Sequence, residues 1–537
     1  VTGDAAALRQ LRLRAPHRQQ RVGPGTAFVG WLLISVGVGA LLLAAGRHVV
    51  PGNSDGATVV LEAKAMLHGN LALSGWTLSN DSFWTVDAPF YVVALAVRGL
   101  GHALLTEVPA VIAALVAVTG MRLARDDAGG APAWAGSLTV LALLALPVPA
   151  FAFEFVQGPL HVATTLWCLL AFALLRRGRF GPGWVGAVVL IAAGLLGDLQ
   201  TLALGVFPLL AAAATAAARR RSWSAGLPNA AAAVAGAALA GGGRLLVHVV
   251  GGFGIGPANP LTPPHQAVRN IGNGVQQLGR LFGVTDRPTG VPTALEAVRV
   301  VALAAVVVAV LAAVARLAVG LRRATPSTDD TDTWRLDDLL VFGVVGSLVL
   351  YLALSLTATP NYARYLTAAV VFGAVLTGRS VTRLAGVLSP TAVIAAVLAV
   401  TFALGAGYAI TVTRPGVGDP GRLLARFLRG HHLTEGLGDY WSASLVTVDS
   451  GGAVAVRPVT TVTTGTIARY YKQSSADWYR GQRFQFLVYN TAVIWEGVTD
   501  TTAEATWGRP ARTYLEGTYE ILVWPHPVSL SPVAPRS

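Results

Sequence analysis

The sequence predicts an α-helical, multi-spanning membrane protein of about eleven spans, carrying a small C-terminal domain of α/β or mostly β type outside the bilayer. Three observations lead there. Only 12% of the 537 residues are charged and 53% are hydrophobic, whereas soluble domains carry about 25% charged residues. Apolar runs approaching the ~20 residues that cross a bilayer recur along most of the chain. Arginines collect between those runs at alternate ends, which is the asymmetry that orients membrane proteins. That distribution also accounts for the net charge of +13 and argues against nucleic acid as a partner. The single cysteine, Cys168, lies inside an apolar run. It excludes a disulfide within the chain and a Cys-based metal site.

Taken in order, residues 1–26 form a basic cytoplasmic N-terminus with Arg9, Arg12, Arg14, Arg18 and Arg21. No small-residue cleavage site follows, so the first run reads as an uncleaved span rather than a signal peptide. Residues 27–412 form the membrane domain. Its outer loop, 47–104, carries Asp55, Glu62, His68, Asp81 and Asp87 among Trp76, Phe83, Trp84, Phe90 and Tyr91. Within it, Thr58–Leu67 has the spacing of an interfacial helix. Tyr91–Leu100 is too short to cross and reads as interfacial or re-entrant.

Spans two, three and four fall near 105–123, 133–153 and 160–175, with Glu154–Pro159 as a short outer loop. Spans five and six, near 184–196 and 201–218, are hinged at Gly197-Asp198-Leu199-Gln200. Span seven, 227–250, is followed by a Gly/Pro-rich outer loop to Thr293. Spans eight to eleven lie near 294–318, 338–356, 366–383 and 390–412, with 324–337 as a cytoplasmic loop. Placing every arginine-bearing end inside puts the tail, 413–537, outside. That tail is polar and rich in Tyr, Trp, Thr and Val, and Ser444–Val448 and Val454–Val459 alternate as strands do.

Ionisable residues within or beside spans mark functional sites by default. In this orientation they cluster at the outer side: Asp55, Glu154, His161, Asp198, Arg244, His248 and Arg364. Arg244 and His248 are four apart and share a helix face. The competing readings are solvated carboxylates for Asp81 and Asp87, packing histidines for His161 and His248, and arginines snorkelling to headgroups. No His-Glu-x-x-His motif or phosphate-binding Gly-rich loop is present.

Four segments carry a family resemblance. They are SDGATVVLEAKAMLHGN with the later DAPFY, the hinge AGLLGDLQTLALGVFPLL, the turn NYARYLTAAVVFGAVLTGR, and a tail containing GLGDYWSASLVTV and YEILVWPHPV. The pattern, over spans one to eleven, resembles the C-type (GT-C) integral membrane glycosyltransferases, among them protein mannosyltransferases and aminoarabinose or arabinofuranose transferases. The tail is similar to segments of actinobacterial members. Two departures stand out. Many members carry paired acidic residues where Asp55 is followed by Gly56, and a lysine in the hinge where this chain has Asp198.

The resemblance implies sugar transfer from a polyprenyl-phosphate donor to a glycan, lipid or protein acceptor at the outer leaflet of the plasma membrane. Asp55 would then act as the base, and Arg364, Arg244 and His248 would hold the donor phosphate. Glu154, His161, Asp198, Asp87, Trp84 and Tyr365 are the further candidates for substrate contact. No cofactor is implied with certainty; a divalent metal on Asp55 and Glu154 is left open without support from spacing. Two other classes fit the composition: a non-catalytic component that binds glycan or a partner through its outer domain, and a lipid or solute transporter. A transporter needs polar groups near the bilayer midplane, where charges are few.

Overall fold

Runs of Ala, Leu and Val leave the backbone in an apolar solvent no partner but itself, so they fold as helices. The computed structural model describes residues 24–126, 128–256, 261–285, 292–322, 333–354, 362–462 and 465–530. The expectations for the basic N-terminal segment, most of the loop 324–337 and the start of the turn before Tyr362 lie outside the described residues. Contacts divide the chain into two units, 1–37 and 38–537. In the first, the described residues are the start of helix α1 (Pro24–Val49), where Ser35 Oγ donates to Trp31 O at 2.8 Å.

The second unit holds the rest. Helix α2 (Ser54–Leu67) and the short α3 (Ala88–Arg98) precede α4 (Leu104–Leu123). Then come α5 (Gly130–Leu144), α6 (Pro149–Val156), α7 (Val162–Leu175), α8 (Pro182–Gly197), α9 (Phe207–Arg220) and α10 (Leu227–Val249). They are followed by α11 (Pro264–Leu281), α12 (Thr293–Arg322), α13 (Thr333–Ala353), α14 (Thr367–Val387) and α15 (Pro390–Thr413). Among the described residues eight helical segments are long and apolar enough to cross a membrane, or nine with the bent pair α5–α6 as one span. The chain is a multi-pass membrane protein of the expected class. Expected spans four and five are the shorter α7 and α8, of 14 and 16 residues.

Three local departures from the sequence reading bear on the site. The expected third span is broken: α5 and α6 meet at 92°. Pro147 and Pro149 lack the N–H that would continue the ladder, and the break puts Glu154 on a helix rather than in a loop. Second, α2 is packed inside the protein, against the C-terminal domain. Ser54 and Gly56–Ala63 are buried along it; Ser54 Oγ donates to Trp441 O at 2.7 Å and Thr58 Oγ1 to Ser444 Oγ at 3.0 Å. Third, the Gly/Pro-rich segment after α10 contains α11. Its Val268, Ile271 and Val275 are exposed, a stripe suited to lie against lipid. The mixed polarity of α11 hid it from a search for apolar runs.

The arginine-rich helix ends are tied together rather than merely solvated. Arg379, buried on α14, bonds Asp337 Oδ1 at 2.5 Å and also Asp126, while Arg383 reaches Asp337 Oδ2 at 2.6 Å. Arg219 pairs with Asp338 at 2.6 Å.

Beyond α15 the chain forms a six-stranded mixed sheet in the order β5-β4-β3-β7-β9-β8. The strands are β3 (Glu435–Gly438), β4 (Ala455–Thr461), β5 (Ile467–Arg469), β7 (Phe484–Asn490), β8 (Arg512–Glu516) and β9 (Tyr519–Val528). β3 runs parallel to β4 and β7, and the other pairs are antiparallel. Alternate residues serve opposite faces. Phe486, Val488 and Ile521 pack with α16 (Pro420–Gly430) and α17 (Tyr440–Asp449), while Leu487, Leu522 and Trp524 face α18 (Asp500–Trp507). Ser444–Val448 is therefore helix, not strand. Asp439 starts it by accepting the Ser442 N–H at 3.1 Å.

A second sheet ties this domain to the membrane helices. β1 (Trp76–Leu78) pairs in parallel with β2 (Gly254–Ile255) and antiparallel with β6 (Ser474–Ser475). Gly436 sits under the Phe486 ring, where a Cβ would stand 2.2 Å from the ring. Gly436→Ala should cost about 1–3 kcal/mol by overpacking and lower the unfolding midpoint followed by tryptophan fluorescence.

Candidate active site

The chemistry-bearing residues converge on one cavity of about 630 Å³. Its walls come from the first loop, the broken α5–α6 span, the end of α11, the entry to α14 and the C-terminal domain. Asp55, Asp81, Glu154, His161, Arg280, Arg364, Tyr365, Tyr440, Trp441, Lys472 and Gln473 all line it.

Asp55 stands in the first turn of α2, behind the N-cap Asn53, whose side chain accepts the Gly56 N–H at 2.7 Å. A helix N-terminus is a favourable place for a carboxylate. Tyr440 Oη donates to Asp55 Oδ1 and lies 2.7 Å from Gln473 Oε1. The C-terminal domain thus supplies the groups that orient the Asp55 carboxylate. The same wall is aromatic: Tyr440 stacks on Tyr470 at 4.8 Å, and Trp441 meets Trp495 edge-on at 5.6 Å.

Across the cavity, the 3₁₀ turn Ala363–Leu366 presents Arg364. Its guanidinium lies 5.0 Å from the Tyr362 ring and 5.3 Å from the Tyr365 ring, and cation–π attraction holds it there. Its charge is felt with those of Asp55 and Glu154. Arg364 Nε has no hydrogen-bond partner among the described residues. Glu154 on α6 is 5% exposed.

Behind this wall, His161 is held by Asp198. His161 Nδ1 donates to Asp198 Oδ2 at 2.8 Å, Thr164 Oγ1 donates to the same oxygen, and the Gln200 N–H gives 2.9 Å to Oδ1. The His161 ring then stacks on Tyr365 at 5.5 Å. Asp198 is fully buried and connects to the cavity through His161, which stacks on Tyr365 beside Arg364. Asp81, at the cavity edge, is pushed up to about 7 by burial and by the nearby Asp198 charge. The donor atoms of Asp81, His161 and Asp198 lie within 4.8 Å of one another, a spacing that can hold a metal ion.

The remaining candidates lie elsewhere. Asp87 is 2% exposed and not solvated; burial raises it to about 8, and its Oδ2 has no hydrogen-bond partner among the described residues. Trp84 does not line the cavity. Its Nε1 donates to Leu71 O at 2.9 Å and its ring meets Phe253 at 5.4 Å. Arg244 lies over the Phe253 ring, 5.8 Å from its centre, and His248 is exposed. Neither lines the cavity. Arg280, carried in by α11, and Lys472 are the cations that join Arg364 there among the described residues. Sequence reasoning also missed Lys472, Gln473 and Tyr440, which follow the chain's return through β6 and α17. The signal available was the dense aromatic and polar composition of Tyr440–Trp441 and Tyr470–Gln473.

No family model matches the chain, and no curated protein does. Among solved structures it is similar to ArnT from Cupriavidus metallidurans bound to undecaprenyl phosphate, at 12% identity and TM-score 0.54, over 92% of this chain and 98% of that one. It is also similar to the archaeal oligosaccharyltransferase AglB from Archaeoglobus fulgidus in complex with an inhibitory peptide and a dolichol-phosphate. There the identity is 11% and the TM-score 0.46, over 86% of this chain and 69% of that one. The likeness to ArnT, along nearly the whole of both chains, shows a shared fold, and it is the fold class that the sequence predicts.

Proposed function

We propose that this protein is a membrane glycosyltransferase that moves a sugar from a polyprenyl-phosphate donor to an acceptor hydroxyl or amide on the extracytoplasmic side. The observation that carries the proposal is the convergence of Asp55 and Arg364 on one cavity. A carboxylate and a guanidinium on opposite walls are what this transfer needs. With a hydroxyl acceptor, its proton passes to Asp55 as its oxygen bonds to the anomeric carbon. The bond from that carbon to the phosphate oxygen breaks, and the electron pair leaves on the polyprenyl phosphate. Arg364, with Arg280 in the same cavity lining, balances the phosphate charge. Asp198, His161 and Tyr365 act by positioning Arg364. The fold neighbour ArnT binds undecaprenyl phosphate, and a lipid-borne donor suits a cavity set among membrane helices.

A photoactivatable polyprenyl phosphate, irradiated with the purified protein, should label the segment around Tyr362–Leu366. Labelling confined to segments that do not line the cavity would refute the donor site. The extracytoplasmic placement has its own test. Thr513→Cys on the exposed side of β8 should react with an impermeant maleimide on intact cells, with little background because Cys168 is buried. Reaction only after lysis would reverse the orientation.

A further inference from the structure

The C-terminal domain meets the membrane helices at a second cluster, apart from the cavity. His102 lies in the turn between α3 and α4. Asp419 precedes α16, and Asp449 ends α17. His102 Nδ1 is 2.8 Å from Asp449 Oδ1 and 3.1 Å from Asp419 Oδ2, and the three donor atoms fall within 4.8 Å of one another.

We propose that His102, Asp419 and Asp449 form a divalent-cation site of the zinc class that clamps the C-terminal domain to the first loop. Four features favour it. The Asp449 side chain is fully buried, yet its Oδ2 has no hydrogen-bond partner among the described residues; a buried carboxylate oxygen left so is costly, and a cation satisfies it. Asp449 also closes α17 at the negative end of the helix dipole, where a carboxylate is disfavoured without a counter-charge. Asp419 Oδ1 is engaged by the Arg422 N–H at 3.2 Å, while its Oδ2 is buried without a hydrogen-bond partner among the described residues and faces His102. Finally, Gly421 makes room, since a Cβ there would stand 2.6 Å from Asp449 Oδ2.

The chemistry fits. Zinc takes imidazole nitrogen and carboxylate oxygen at about 2.0–2.2 Å, which places tetrahedral ligands about 3.3 Å apart. The observed 2.8 and 3.1 Å need only a slight opening. Two carboxylates and a neutral imidazole balance a divalent ion, with Arg422 the nearby cation against which it must bind. Three ligands leave a fourth position for water. Because they come from the first loop and from both ends of the α16–α17 segment, the ion would hold Tyr440, on α17, against Asp55. The inference does not depend on the transferase reading.

The test is zinc binding to the full-length protein in nanodiscs after chelation, by calorimetry and elemental analysis. Wild type should bind one zinc at this site. Asp449→Asn and Asp419→Asn should each lose it, while His161→Asn, in the cavity cluster, should retain it. Zinc should also slow proteolysis between Arg414 and Asp419 in the wild type and not in Asp419→Asn. The proposal is overturned if wild type binds no stoichiometric zinc, or if a correctly folded Asp419→Asn keeps the wild-type zinc content.

Discussion

Asp55→Asn should lower the transfer rate by about 10²–10⁴-fold, the usual contribution of a general base, with folding and donor binding intact. The amide preserves size and still accepts the Tyr440 hydroxyl, so only basicity is removed. Asp81→Asn is the informative companion. Asp81 holds its proton up to about pH 7, so below that pH the amide imitates the native state and activity should match wild type. Above it, where the native carboxylate is charged, the two should diverge. Single-turnover rates from pH 6 to 8.5 check both. An Asp55→Asn variant as active as wild type would move the base to Glu154, the other carboxylate on the cavity wall.

Arg364→Ala should weaken donor binding by about 10–150-fold, which is the worth of a charged hydrogen bond, about 1.5–3 kcal/mol. Acceptor binding should change far less. The native guanidinium has an Nε without a hydrogen-bond partner among the described residues, so its loss breaks no internal hydrogen bond through that atom there. Arg244→Ala makes the contrast. That side chain rests over Phe253 away from the cavity, and its removal should leave polyprenyl phosphate affinity unchanged. Titration of polyprenyl phosphate against the purified variants gives both numbers; equal affinity in Arg364→Ala and wild type would place the phosphate elsewhere.

The membrane helices were legible because their signal is local: an apolar run and an arginine end are read from neighbouring residues. The same locality brought Asp55, Glu154 and Arg364 to notice, each sitting at the end of an apolar run. What escaped depends on packing at long range. Arg244 and His248 share a helix face, but nothing local says which neighbour that face meets. Arg280 escaped because α11 is too polar to read as a span. Tyr440 and Gln473 reach Asp55 only because the chain returns 385 and 418 residues later. The break between α5 and α6 could be read from Pro147 and Pro149, but not the direction of the bend that delivers Glu154.

The reaction proposed for this cavity is sugar transfer from a lipid phosphate. It is tested most directly by turnover of a panel of polyprenyl-phosphate sugars by the purified protein in nanodiscs, reading the release of polyprenyl phosphate together with glycosylated acceptor. Stoichiometric release and transfer are expected for at least one donor in wild type, with loss in both Asp55→Asn and Arg364→Ala. Donor binding without turnover of any member of the panel, together with glycan binding by the C-terminal domain, would contradict it and make the protein a non-catalytic binder.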